Sequence, residues 1–104
     1  MLIMTADAIP GRKYEMLGIA KGSTIQTVHA GKDIINSFKT LVGGELTSYN
    51  EMMNKARALA TKRLEEDAQS MGADAVVAMR YSSSSVMQGA SEIMAYGTAI
   101  RFTD

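Results

Sequence analysis

Gly43-Gly44, Ser48-Tyr49-Asn50-Glu51 and Gly72-Ala73-Asp74-Ala75-Val76-Val77 punctuate the stretch whose reading decides the fold. Between them Tyr49, Met52, Met53, Ala56, Leu59, Ala60, Leu64, Ala68 and Met71 trace the continuous apolar stripe of a helix. Ser48 and Glu51 have the spacing of a capping box, in which serine bonds forward to a free amide and glutamate reaches back. Gly72 is the residue type that ends helices in a left-handed conformation. Ala75-Val76-Val77-Ala78 then runs apolar on both faces, which suits a strand buried on both sides. Helix, tight turn and strand in that order lay an amphipathic helix on a sheet. On the helix, Glu51–Lys55 is an i,i+4 ion pair in the favourable order, and Lys62–Glu66 and Arg63–Asp67 have the same spacing reversed.

Upstream, Leu2 to Thr5 suits a short strand and Ala8-Ile9-Pro10-Gly11 a turn, with proline fixing φ and glycine free to take positive values. Tyr14 to Ile19 reads as a second strand. Gly18 and Gly22 interrupt it, as glycines do at bulges or close backbone approaches, and Thr24 to Val28 resumes the β pattern. Ile34, Ile35, Phe38, Leu41 and Val42 form a helical stripe with Asp33 in its first turns, and Gly43-Gly44 ends it. Downstream, Asp74 to Tyr81 reads as a strand, Ser82-Ser83-Ser84-Ser85 as a loop by composition, and Ile93 to Phe102 as the last strand. Met94, Tyr96, Thr98, Ile100 and Phe102 share one face of it, and Ile93, Ala95, Gly97 and Ala99 the other. Neither face is clearly polar before Arg101. The sum is a single α+β domain over 1–104, a sheet with two helices packed on it. So small a domain has too little chain to cover such a strand on both sides, and neighbouring copies of itself are the expected cover.

Charge narrows the function. Eleven basic and eleven acidic residues cancel, which argues against a nucleic-acid groove and lends nothing to a polybasic membrane patch. The absence of cysteine excludes disulfides, thiolate nucleophiles and cysteine-ligated zinc or iron–sulfur sites. The apolar start, Met1 to Thr5, is too short for a signal peptide, and no segment approaches membrane-spanning length, so a soluble cytoplasmic protein is expected.

Val42-Gly43-Gly44, Tyr49, Lys55-Ala56-Arg57, Leu64, Ala68, Gly72-Ala73-Asp74-Ala75-Val76-Val77 and Gly97-Thr98-Ala99 resemble the YbjQ-like family of small bacterial and archaeal proteins over nearly the whole chain. The family carries the label "putative heavy-metal-binding domain", and its function is not established. The resemblance implies a dodecin-like β-α-β-β core, assembly into a pentameric ring, and a divalent or soft transition metal as the cofactor named by the label. The chain departs from the family pattern at Glu45, where arginine is usual, at Asn50, where glutamate is usual, and at Ala58, Lys62 and Arg63, where acidic residues are favoured.

The donor chemistry of the residues themselves is thin. His29 is the single histidine. It reads as a polar loop residue first, and as a metal ligand only if ring symmetry gathers several copies. The nine methionines carry sulfur soft enough for Cu(I). Met52, Met53, Met71, Met79 and Met94, however, sit where core or subunit-interface filling demands an adaptable apolar side chain. Gly43 and Gly44 form a turn or an anion-binding nest. Tyr49 is an amphipathic boundary residue or a ligand contact, and Asp74 is a turn aspartate or a site carboxylate. Arg57 and Glu51 suggest surface pairing. With no nucleophile–base–orienter set and no glycine-rich nucleotide motif, the expectation is a non-enzymatic homo-oligomer. A metal or small ligand would be held between its subunits.

Overall fold

The turn behind the long helix is built as its sequence predicts. The computed structural model describes residues 1–27 and 47–104, with the side chains of all of these but 27 and 47–49. Helix α1, Thr47–Ser70, ends with the Ala73 amide donating to the Ala68 carbonyl at 3.1 Å and the Gly72 amide to Gln69 at 3.0 Å. Gly72 has φ +80°. This is a Schellman ending, in which the left-handed glycine lets the chain reverse while two orphan carbonyls are satisfied. The helix starts one residue before Ser48, whose capping side chain lies outside the described residues. The predicted helix from Asp33 to Val42 lies outside them as well.

Four strands form a mixed sheet in the order β1-β3-β4-β2. They are β1, Leu2–Ile3; β2, Tyr14–Thr27; β3, Ala75–Met87; and β4, Ala90–Phe102. β4 is central and antiparallel to both β2 and β3, while β1 pairs in parallel with Ala75 and Val76. The chain therefore leaves β2 at one edge, crosses over β4 through α1 and returns as β3.

β2 is one continuous strand, not two interrupted ones. Gly18 accommodates the interruption as a bulge, with the register shifting between Met16 and Gly18 at a φ of +138°. Gly22 is a close approach: a Cβ there would stand 2.2 Å from the Leu64 amide nitrogen and 2.5 Å from the Ala60 carbonyl oxygen. The helix backbone lies directly on the strand, and only glycine leaves room for it. A second bulge opposes Ala78 and Met79 to Gly97, between the pairs Val77–Thr98 and Arg80–Tyr96. The displaced amides of Ala78 and Met79 bond to the carbonyls of Ala6 and Met4 at 2.8 and 3.0 Å. The N-terminal segment thus takes over from the ladder where β3 leaves it.

Ser82 to Ser85 are not a loop. They continue β3 and pair with Met94, Ile93, Glu92 and Ser91. Serine lowers strand propensity, but the ladder is made by backbone groups, and β4 presents an unbroken row of partners. The reversal falls at Gln88-Gly89, where Gly89 supplies the positive φ, +80°.

The two faces of the sheet are covered differently. On one, Ala56, Ala60, Leu64 and Ala68 of α1 pack on Ala20, Val76, Ile93, Ala95 and Ala99. The buried stripe is narrower than its sequence suggests, since Leu59 lies outside it and is exposed. On the other face Ala75, Val77 and Ile100 are roofed by Met4, Ile9, Tyr14 and Phe102. Burial of Ala75–Val77 from both sides is what their apolar run predicts.

Candidate functional site

Of the residues singled out as ligand contacts, Asp74 alone can be described in full. Its carboxylate accepts the Phe102 amide at 2.9 Å, and its own amide donates to the Ile100 carbonyl at 2.8 Å. Asp74 therefore ties the start of β3 to the end of β4, a structural role with a partner on the neighbouring strand rather than in its own turn. His29, Asp33, Gly43 and Gly44 lie outside the described residues. Tyr49 lies in the first turn of α1 with its side chain outside the description. Met53 and Met71 pack against the core and Met79 is in it, as gap-filling residues should be. No three histidine, cysteine, aspartate or glutamate side chains converge among the described residues. Among them, no helix is long and apolar enough to cross a membrane.

Three surface features remain. The first is a cavity of about 120 Å³ between the N-terminal half of α1 and the β3–β4 hairpin, lined by Met53, Arg57, Tyr81, Ser82, Ser83 and Ile93. Arg57 is half-buried, and its guanidinium donates to the Asn54 side-chain oxygen at 2.6 Å. The Thr61 hydroxyl donates its single proton to the Arg57 carbonyl at 2.7 Å. The 2.7 Å contact between Thr61 and Tyr81 must then run from the phenol to the threonine, since a hydroxyl has one proton to give. Tyr81 is fixed against α1 with its proton turned toward the helix. Arg57 pairs at the surface, as its place on the helix suggests, with a neutral amide as its partner, and it also lines the cavity. Arg57 stands in the Lys55-Ala56-Arg57 element of the sequence, whereas Tyr81 and Ser83 belong to no motif. Only the strand register, which pairs Tyr81 with Ala95 and Ser83 with Ile93, places them on the helix-covered face.

The second feature is the outer edge of β2. Asp67 accepts the outward Lys21 amide at 2.9 Å, and Arg63 donates to the Ser23 carbonyl at 2.6 Å. Two residues spaced as an intrahelical ion pair thus bond the edge of the sheet instead. Beside them opens a shallow concavity of about 400 Å³ lined by Lys21, Gly22, Ser23, Arg63, Glu92 and Met94. It carries both signs of charge.

The third is the face of the sheet away from α1. Beyond the roofed cluster, Ile19 is 75 % exposed and Met16 70 %. Ile19 pairs with Thr98 and Lys21 with Tyr96, so β2 and β4 present these residues side by side. At one end of this face Arg12 stacks on the Phe102 ring, 3.7 Å from its centroid, and makes a two-pronged bond to Asp104 at 2.7 and 3.0 Å. That hydrogen bond holds the Asp104 carboxyl below its usual value and raises the Arg12 guanidinium.

Similar proteins cover the same length. A UPF0145 protein of Alkaliphilus metalliredigens is 59 % identical over 98 % of this chain and 99 % of its own. A UPF0145 protein of Clostridioides difficile is 56 % identical over 100 % of this chain and 94 % of its own. A crystal structure of a protein of unknown function of the DUF74 family from Pediococcus pentosaceus superposes with a TM-score of 0.72 at 19 % identity. It covers 99 % of this chain and 98 % of the other, a likeness of fold. The family model described as "Putative heavy-metal-binding" matches residues 1–103, and the chain belongs to that YbjQ-like family.

Proposed function

We propose that the protein is a non-enzymatic, self-associating subunit that closes the helix-free face of its sheet against further copies of itself. The observation that carries this reading is the exposure of Ile19 and Met16 beside Tyr96 on that face. Water-exposed isoleucine and methionine on a flat strand surface favour association, at roughly 1.5–3 kcal/mol per fully buried side chain. Zero formal net charge leaves little long-range repulsion to oppose it. Met94, half-buried on the same face, is placed to repack against a neighbour. The ring of five implied by the resemblance is one arrangement of such copies, and a small ligand or metal would sit between them. Because the described residues of one copy gather no three histidine, aspartate or glutamate side chains, a metal held by nitrogen and oxygen donors would draw them from more than one copy or from the stretch that includes His29.

Light scattering coupled to size exclusion tests the assembly. The expected mass is a multiple of the 11.2 kDa chain at micromolar concentration, and a monomer there refutes the reading. Titration of untagged protein with Zn²⁺, Cu⁺ and Ni²⁺ tests the metal. Binding lost in His29→Ala supports a shared histidine site, and stoichiometric binding that survives the change refutes it.

A further inference from the structure

We infer that the cavity between α1 and the β3–β4 hairpin is a binding site for a small oxyanion, a carboxylate or phosphate group, with Arg57 as its anchor. Three observations meet there. Arg57 is a half-buried cation whose hydrogen-bond partner among the described residues is the neutral oxygen of Asn54. The salt bridges among those residues leave it without a carboxylate. A partly desolvated guanidinium keeps its charge and offers five donors in a planar fork, and its best complement is a carboxylate or phosphate oxygen pair.

The walls supply the second observation. Met53, Tyr81, Ser82, Ser83 and Ile93 line the cavity beside Arg57 among the described residues, and none of them is acidic. Ser83 adds a hydroxyl donor, while Met53 and Ile93 give an apolar floor for a short hydrocarbon portion. The third is rigidity. Tyr81 is held by Thr61, which is itself bonded to the Arg57 carbonyl, so the wall and the turn that carries the anchor are fixed to each other before any ligand arrives. A volume of about 120 Å³ holds one small anionic group. Every lining residue comes from one copy, so this site stands or falls independently of the self-association proposed above.

The test is a heteronuclear NMR titration of the full chain with two probes, inorganic phosphate and isobutyrate. The expected result is saturable shift changes at Arg57, Ser83 and Ile93 with at least one probe. Tighter binding of isobutyrate assigns the carboxylate class and tighter binding of phosphate the phosphate class. Arg57→Gln should weaken that binding about tenfold or more, and Arg57→Lys by less, since it keeps the charge and loses the fork. Far-ultraviolet circular dichroism and Tm of both variants confirm that they fold. Should either fail to fold, Ser83→Ala provides the same readout with an expected smaller loss. Shifts that do not saturate with either probe, or that persist unchanged in Arg57→Gln, overturn the assignment.

Discussion

The two faces of this sheet are made from the same strands and meet opposite fates. Toward α1 the strands set small residues, Ala20, Gly22, Ala95, Gly97 and Ala99, among the larger Val76, Met79 and Ile93. Small residues let a helix backbone settle onto the strands until its amides nearly touch Gly22, and the resulting core is dry. Away from α1 the strands offer Met16, Ile19, Tyr96 and Ile100. Of these only Ile100 is fully buried, under the segment that holds Met4 and Ile9. The contrast teaches that small residues at the crossing let the helix close one face, where hydrophobicity alone would not distinguish the two. One face is filled by Ala56, Ala60, Leu64 and Ala68 of α1, and on the other Met16 and Ile19 stay exposed.

The comparison breaks most visibly at its dry face. Leu64→Ala removes the largest fully buried side chain of the helix and is expected to cost about 2–5 kcal/mol. Thermal melts at fixed protein concentration should show a Tm lower by roughly 10 °C or more; a shift of a degree would mean that α1 contributes little to the core. On the open face, Ile19→Asp should leave the secondary structure intact and shift the light-scattering mass toward that of a single chain. It removes roughly 1.5–3 kcal/mol of burial per copy, and an unchanged mass would place the contact elsewhere. Tyr81→Phe deletes one hydrogen bond between the hairpin and α1 and is expected to cost about 1 kcal/mol, read as a small loss in denaturant midpoint. An unchanged midpoint would show that the Thr61–Tyr81 bond does not hold the hairpin.

The smallest effect is expected at Asp104. Its carboxyl is lowered from the ordinary 3.8 by the Arg12 hydrogen bond. A carboxylate depressed on folding stabilises the native state above its unfolded value and loses that contribution as pH falls through its folded value. Both partners lie at the surface, where solvent screens the pair, so the gain is slight. Melts of Asp104→Asn and the parent should differ a little near neutral pH and converge below 3.8; a gap that persists in acid would show that the contact acts by packing on Phe102 instead of by charge.

Much of the architecture was legible because it rests on local signals. Gly72 reads as a helix stop wherever it occurs after an apolar stripe, and the double-sided burial of Ala75 to Val77 follows from the absence of polar residues there. Gly18 and Gly22 announced an irregularity, though only the register shows that one is a bulge and the other a helix crossing. What failed to show was non-local. Ser82 to Ser85 are strand because β4 pairs with them, and no property of four serines reveals that partner. Arg63 and Asp67 have the spacing of an ion pair along a helix, and the edge of β2 outcompetes each for the other. The cavity residues Arg57, Tyr81 and Ser83 converge from two elements, so no spacing relates them. Asp74 could be read both as a structural and as a functional carboxylate, and its bond to the Phe102 amide adds a structural partner that no spacing announces.

The bonds from Asp67 to Lys21 and from Arg63 to Ser23 bear on how the protein avoids aggregation. A fourteen-residue border strand would ordinarily be a template on which extended polypeptide accretes into fibrils. Here a carboxylate and a guanidinium occupy the amide and carbonyl that an incoming strand would need midway along that border, with the helix standing above them. Endless lateral growth of the sheet is interrupted at its middle, which favours closed, finite contacts between molecules over open-ended ones.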